Sequence, residues 1–145
     1  MSSGLGKSAV EQYKQLDVST TVESASPHRL IQMLMERALQ SIGLARNMME
    51  TEEIAAKGVH IGNAIDIING LQASLNHKHD AEMSANFDEL YGYMTRRLLE
   101  ANLHNDRSIL EEVENLLREI KEAWDAIAGD PLATVGLDER DEELA

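Results

Sequence analysis

The chain has 145 residues, a formal net charge of −13 from 13 Lys plus Arg against 26 Asp plus Glu, and no cysteine. That length suits one domain with a core of its own. The acidity excludes nucleic acid and an anionic membrane surface as partners, since both need a basic footprint, and the missing thiols exclude disulfides and thiolate sites.

Residues 1–7 are small and Gly-containing, and are expected to be disordered. The stretch MSSGLGKSAVEQYK has no signal-peptide core, and no apolar run nears the ~20 residues of a membrane span. The expectation is a cytoplasmic protein without membrane insertion. Residues 8–17 carry Val10, Tyr13 and Leu16 at helical spacing. A helix this short is marginal by itself, so it docks on something or frays. Residues 18–26 are rich in Ser, Thr and Val and read as extended.

Ser26-Pro27 is a sharp helix start, with Ser26 as cap and Pro27 at the first helical position. From there Leu30, Ile31, Leu34, Ala38, Ile42, Ala45 and Met49 form one apolar stripe, predicting a helix over about 27–50. A short link at 51–53 makes the next helix antiparallel. Ile61, Ala64, Ile65, Ile68 and Leu75 predict it over 54–76. Gly58, Gly62 and Gly70 interrupt it, and read best as close approach to a neighbouring helix.

The strongest pattern is Phe87, Leu90, Tyr91, Met94, Leu98 and Ala101, predicting a helix over about 81–103. The last helix, about 106–128, carries Ile109, Val113, Leu116, Leu117, Ile120, Trp124 and Ile127, and Gly129-Asp130-Pro131 stops it. Residues 130–145 read as a flexible acidic tail; removing their six acids and one base still leaves −8, so the body is acidic as well. The fold expected is all-α. It is an antiparallel up-and-down four-helix bundle over residues 8–129, with a short extra N-terminal helix.

No reaction centre emerges. A di-iron bundle needs Glu-x-x-His on two helices, and the sequence contains no Glu-x-x-His. Glu100 and His104 form a single i, i+4 pair, which is no metal cluster. His60, with Lys57 one turn earlier, is the candidate for a phosphoacceptor in a histidine phosphotransfer-type domain, but Gly62 and Asn63 do not suit it. Nucleophile elbows and phosphate loops are absent. The chain is therefore expected to be no enzyme and to carry no cofactor or metal. What remains is surface. Met33, Met35, Leu39, Ile67 and Leu71 widen the stripes beyond a minimal bundle seam. They form either a broader core face or a hydrophobic groove for a partner helix, coverable by the short helix with Tyr13 and Leu16.

The order of motifs carries a family signature. It runs from Tyr13 through Ala25-Ser26-Pro27-His28-Arg29-Leu30-Ile31-Gln32-Met33-Leu34 to Ala64-Ile65-Asp66-Ile67-Ile68 and Ser74-Leu75. Ala85-Asn86-Phe87, Leu90-Tyr91-Gly92-Tyr93-Met94 and Arg97-Leu98-Leu99-Glu100-Ala101-Asn102 follow, then Glu112-Val113, Leu116-Leu117, Ile120 and Ala123-Trp124. Over about residues 13–127 this resembles the flagellin-specific export chaperone family, FliS. Two departures stand out. Met35-Glu36-Arg37-Ala38 replaces the family's Tyr-Asp-Gly-Ala, and His79-Asp80-Ala81-Glu82-Met83 replaces its Gly-Gly-Glu-Ile turn. The resemblance implies a cytoplasmic chaperone of flagellar type III secretion. Its client is flagellin's C-terminal segment, kept from premature polymerisation and handed to the export gate. By matching positions it implies client contact at Ile31, Leu34, Met35, Ile67 and Leu71. It also implies an N-terminal cap at Tyr13, Leu16, Ala25, Ser26 and Pro27. The exposed groove would be open to homodimerisation in the free protein. The alternative is a generic helical interaction domain.

Overall fold

The computed structural model describes residues 26–76, 78 and 81–127. Tyr13, Leu16 and Ala25, the expected helix at 8–17 and the acidic tail lie outside the described residues. Within them the protein is all-helical: α1 (Pro27–Glu50), α2 (Ile54–Ala73), α3 (Ala81–His104) and α4 (Arg107–Ala126).

Each helix end has a local chemical cause. Ser26 has extended backbone, and its Oγ accepts the Arg29 N–H at 3.1 Å, with Pro27 supplying the first turn. At the far end of α1, Glu52 takes φ 61°. Its N–H donates to the Met49 carbonyl at 3.2 Å, and the Glu53 N–H donates to the Met48 carbonyl at 2.8 Å. That pair of bonds is a Schellman stop, a place usually held by glycine. The same device ends α3. There Asn105, at φ 53°, lets the Asp106 N–H reach the Ala101 carbonyl at 3.0 Å. Asp106 is not the first helical residue of α4 but its cap, its Oδ1 accepting the Ser108 N–H at 2.9 Å.

The helix expected over 54–76 ends at Ala73. Ser74 Oγ donates back to the Leu71 carbonyl at 3.0 Å, and Asn76 is drawn inward with 1% of its surface exposed. The Asn76 Oδ1 accepts the Lys78 N–H at 3.0 Å, and its carbonyl accepts the Ser84 hydroxyl at 3.1 Å. An Asn side chain that imitates a turn competes with one more helical turn, and here the turn wins.

Side-chain bonds fix the directions. Lys57 near the start of α2 meets Asn102 near the end of α3, while Gln72 near the end of α2 meets Asp88 near the start of α3. Gln32 pairs with Asp125, and Arg46 with Glu114, so α1 and α4 are also antiparallel. The α1–α2 interface is the most extensive, and α4 closes the ring against α1 and α3. The core runs through Leu34, Met35, Ile42, Ile61, Ile68, Met94, Leu98, Leu110 and Leu117, each at most 1% exposed. Alanines at 38, 45, 64 and 101, all fully buried, let the backbones come close. Among the described residues no helix is long and apolar enough to cross a membrane.

Candidate binding cleft

Antiparallel packing brings the start of α1, the end of α2, the start of α3 and the end of α4 to one end of the bundle. Three of the chain's five aromatic residues, Phe87, Tyr91 and Trp124, gather there. The His28 ring lies flat on Trp124, centroids 4.8 Å apart and planes 9° from parallel. Trp124 Nε1 donates to the His28 carbonyl at 3.1 Å, so the indole is held by both ring and backbone of one residue. Phe87 stands edge-on to Trp124 at 6.3 Å, a favoured aromatic geometry.

Between these rings opens a cleft lined by Ile31, Leu71, Ser74, Leu75, Phe87, Tyr91 and Trp124. Its free volume is about 10 Å³, no more than one water requires. An apolar guest would enter only if half-buried Leu75 and Phe87 swing aside. Beside it runs a polar edge. Asp125 accepts from Lys121 at 2.8 Å and from Gln32 at 2.6 Å, and the Lys121 ammonium holds its carboxyl below the usual range. Both His28 ring nitrogens are buried without a hydrogen-bond partner. Burial lowers the imidazole's affinity for a proton, against a weaker opposite pull from Asp125.

The residues singled out in the sequence are placed unevenly. Ile31 and Leu71 line this cleft. Ile67 is half-buried on α2, packed against the core. Leu34 and Met35 face inward, 1% and 0% exposed, so a partner reaches them only if helices part. Met33, at 8% exposed, is likewise core, so much of the extra stripe width on α1 is core face. Ser26 and Pro27 deliver the chain to the cleft's end. Trp124, read from its stripe alone as core, is also a wall of the cleft. His28, Leu75, Phe87 and Tyr91 were not singled out as site residues. Placing the aromatics of α3's start, α4's end and α1's start on an antiparallel bundle would have found them.

Catalytic alternatives find little to work with. Lys57, which would offset phosphate charge at His60, is 3% exposed and turned inward, its Nζ on the Asn102 carbonyl at 3.1 Å and Asn105 Oδ1 at 3.0 Å. Glu100 pairs with Arg97. No group of three or more metal-capable side chains occurs among the described residues.

A family model described as flagellar protein FliS matches residues 9–131. The chain is 48% identical over 120 residues to the flagellar secretion chaperone FliSB of Pseudomonas aeruginosa, covering 83% of this chain and 95% of the relative. It is 47% identical over 122 residues to the flagellar secretion chaperone FliS of Salmonella typhimurium, covering 83% and 90%. To the protein of that name in Bacillus subtilis it is 36% identical over 104 residues, covering 72% and 77%.

Proposed function

Because the chain belongs to the FliS family, we propose that it is a flagellar secretion chaperone whose client is the C-terminal segment of flagellin. The observation that carries the reading is the aromatic-walled apolar cleft at the bundle end where the chain enters α1. An extended or helical client segment lays apolar side chains against Ile31 and Leu71 in the cleft and against Ile67 beside it. Leu34 and Met35 form the layer beneath. Residues from Tyr13 and Leu16 to Ala25, Ser26 and Pro27 act as a cap that the client displaces. Covering the client's apolar face blocks premature assembly. The ordering cost of a segment that folds on binding leaves a net affinity low enough for release at the export gate. The chaperone domain extends over residues 8–129, works in the cytoplasm, and needs neither nucleotide nor metal.

Calorimetric titration against a synthetic peptide of flagellin's C-terminal ~40 residues tests this. One-to-one binding with a negative heat-capacity change is expected from coupled folding. Ile67→Asp combined with Leu75→Asp, both half-buried positions, should weaken binding more than tenfold while helical circular dichroism is retained. Undiminished binding by a folded double variant would move the client elsewhere. Sedimentation of the free chain is the companion measurement, since an uncapped cleft is also open to a second copy.

A further inference from the structure

The bundle has a second apolar surface, at the end away from the cleft. Ile54, Val59, Leu99 and Leu103 are 54%, 60%, 55% and 78% exposed. Leu99 and Leu103 stand one turn apart on α3. The Lys57 bond to the Asn102 carbonyl sets the start of α2 beside them. Between the two helices the floor is bare. A Cβ on Gly58 would meet only Asn102 Oδ1, at 3.9 Å, and one on Gly62 would meet nothing within 4 Å. Four large apolar side chains around a glycine-floored channel suit a helix lying along it, because missing side chains admit a close backbone.

Charge selects the occupant. Glu52 and Glu53 precede Ile54, Glu100 follows Leu99, and Asp106 lies just beyond Leu103. The nearby cations are mostly committed: Lys57 turns inward, Arg97 holds Glu100 and Glu112, and Arg107 holds Glu50 and Glu111. Among the described residues, Arg96 is the cation left on this face. A second copy brings another net −13 to an already acidic rim. We propose that the outer face of α2 and α3 docks an amphipathic helix with an apolar stripe and flanking Lys or Arg, supplied by a protein other than the one that fills the cleft. The two surfaces lie at opposite ends of helices roughly 30 Å long.

The probe is a synthetic 18-residue helix of Leu and Lys, with Leu at i, i+3, i+4 and i+7, followed by fluorescence polarisation at physiological salt. A scrambled peptide of equal composition is the control. One-to-one binding of the patterned peptide is expected, with at least tenfold loss in Leu99→Ser/Leu103→Ser. Gly62→Leu should cause a similar loss while making α2 more stable, which separates a filled channel from a damaged fold. Equal binding of the scrambled peptide, or undiminished binding by either variant, overturns the proposal. Three further results reassign the surface. Displacement of the probe by the flagellin peptide gives it to the client. A dimer that Leu99→Ser/Leu103→Ser dissociates gives it to a second copy. Tighter probe binding in Tyr13→Asp/Leu16→Asp gives it to the chain's own N-terminal segment.

Discussion

His28 is neutral where it sits for a physical reason: both ring nitrogens are out of water and unpaired, and the ring is pressed on an indole. Its folded proton affinity is below the ordinary 6.5, so the unfolded chain binds the proton better. Stability from this site is therefore complete above that value and falls as pH drops through it. Gln32, Lys121 and Asp125 form the polar edge beside the ring, with Arg29 and Glu36 next along α1. The chain's single tryptophan reports the event directly. Between pH 7 and 5 the urea midpoint followed by Trp124 fluorescence should fall further in the wild type than in His28→Phe, which keeps the stack without the titration. Lys57 is the second informative side chain. Its buried ammonium satisfies the carbonyl end of α3, where a cation also suits the helix dipole. Lys57→Met should cost about 1–3 kcal/mol in urea unfolding, because two acceptors lose their donor. A lysine three residues into an apolar stripe gives no sign in sequence of turning inward; only the partner helix decides that.

Helix ends show how far local chemistry can be read. Ser26-Pro27 was legible because cap and first turn are both encoded at consecutive positions. Asp106 reads in sequence as the first residue of the last helix, one position early, because an Asp that caps and an Asp in the first turn look alike there. The end of α2 at Ala73 was not legible, because Leu75 continues the apolar period while Asn76 finds better partners in Lys78 and Ser84, the latter reached only once α3 has docked. The end of α1 at Glu50 was legible, but the left-handed turn at Glu52 that makes it was hidden, since nothing in Thr-Glu-Glu announces such a residue. Asn105, at the equivalent place after α3, is a residue type that tolerates that conformation. Glu52→Gly should accordingly raise stability by about 1 kcal/mol, read as a shift in urea midpoint without a change in slope. The same substitution at Asn105 should not help, because it discards the acceptor that holds Lys57.

For the whole molecule, the periodicity of apolar residues was enough to give four helices and most of the core, since a stripe must be covered by something. Which stripe positions remain open was not legible. Met33 and Met35 look like spare width in one dimension, and three-dimensional closure by the other helices buries them. Leu99 and Leu103 sit outside the main stripe and stay exposed. Met35→Ala should cost about 2–5 kcal/mol, as expected of a packed core position. A loss of client affinity without that loss of stability would put Met35 at the surface instead. The meeting of α1's start with α4's end, held by the Trp124–His28 and Gln32–Asp125 bonds, has a kinetic consequence. A short linker joining residue 127 to residue 26, with the chain reopened at 51–53, would run α2, α3, α4, α1. Every helix contact could re-form, yet the most extensive interface, α1 on α2, would become the most distant in sequence. Such a permutant should keep much of its equilibrium stability and fold more slowly, because a contact now closed by three residues would have to wait for the rest of the chain.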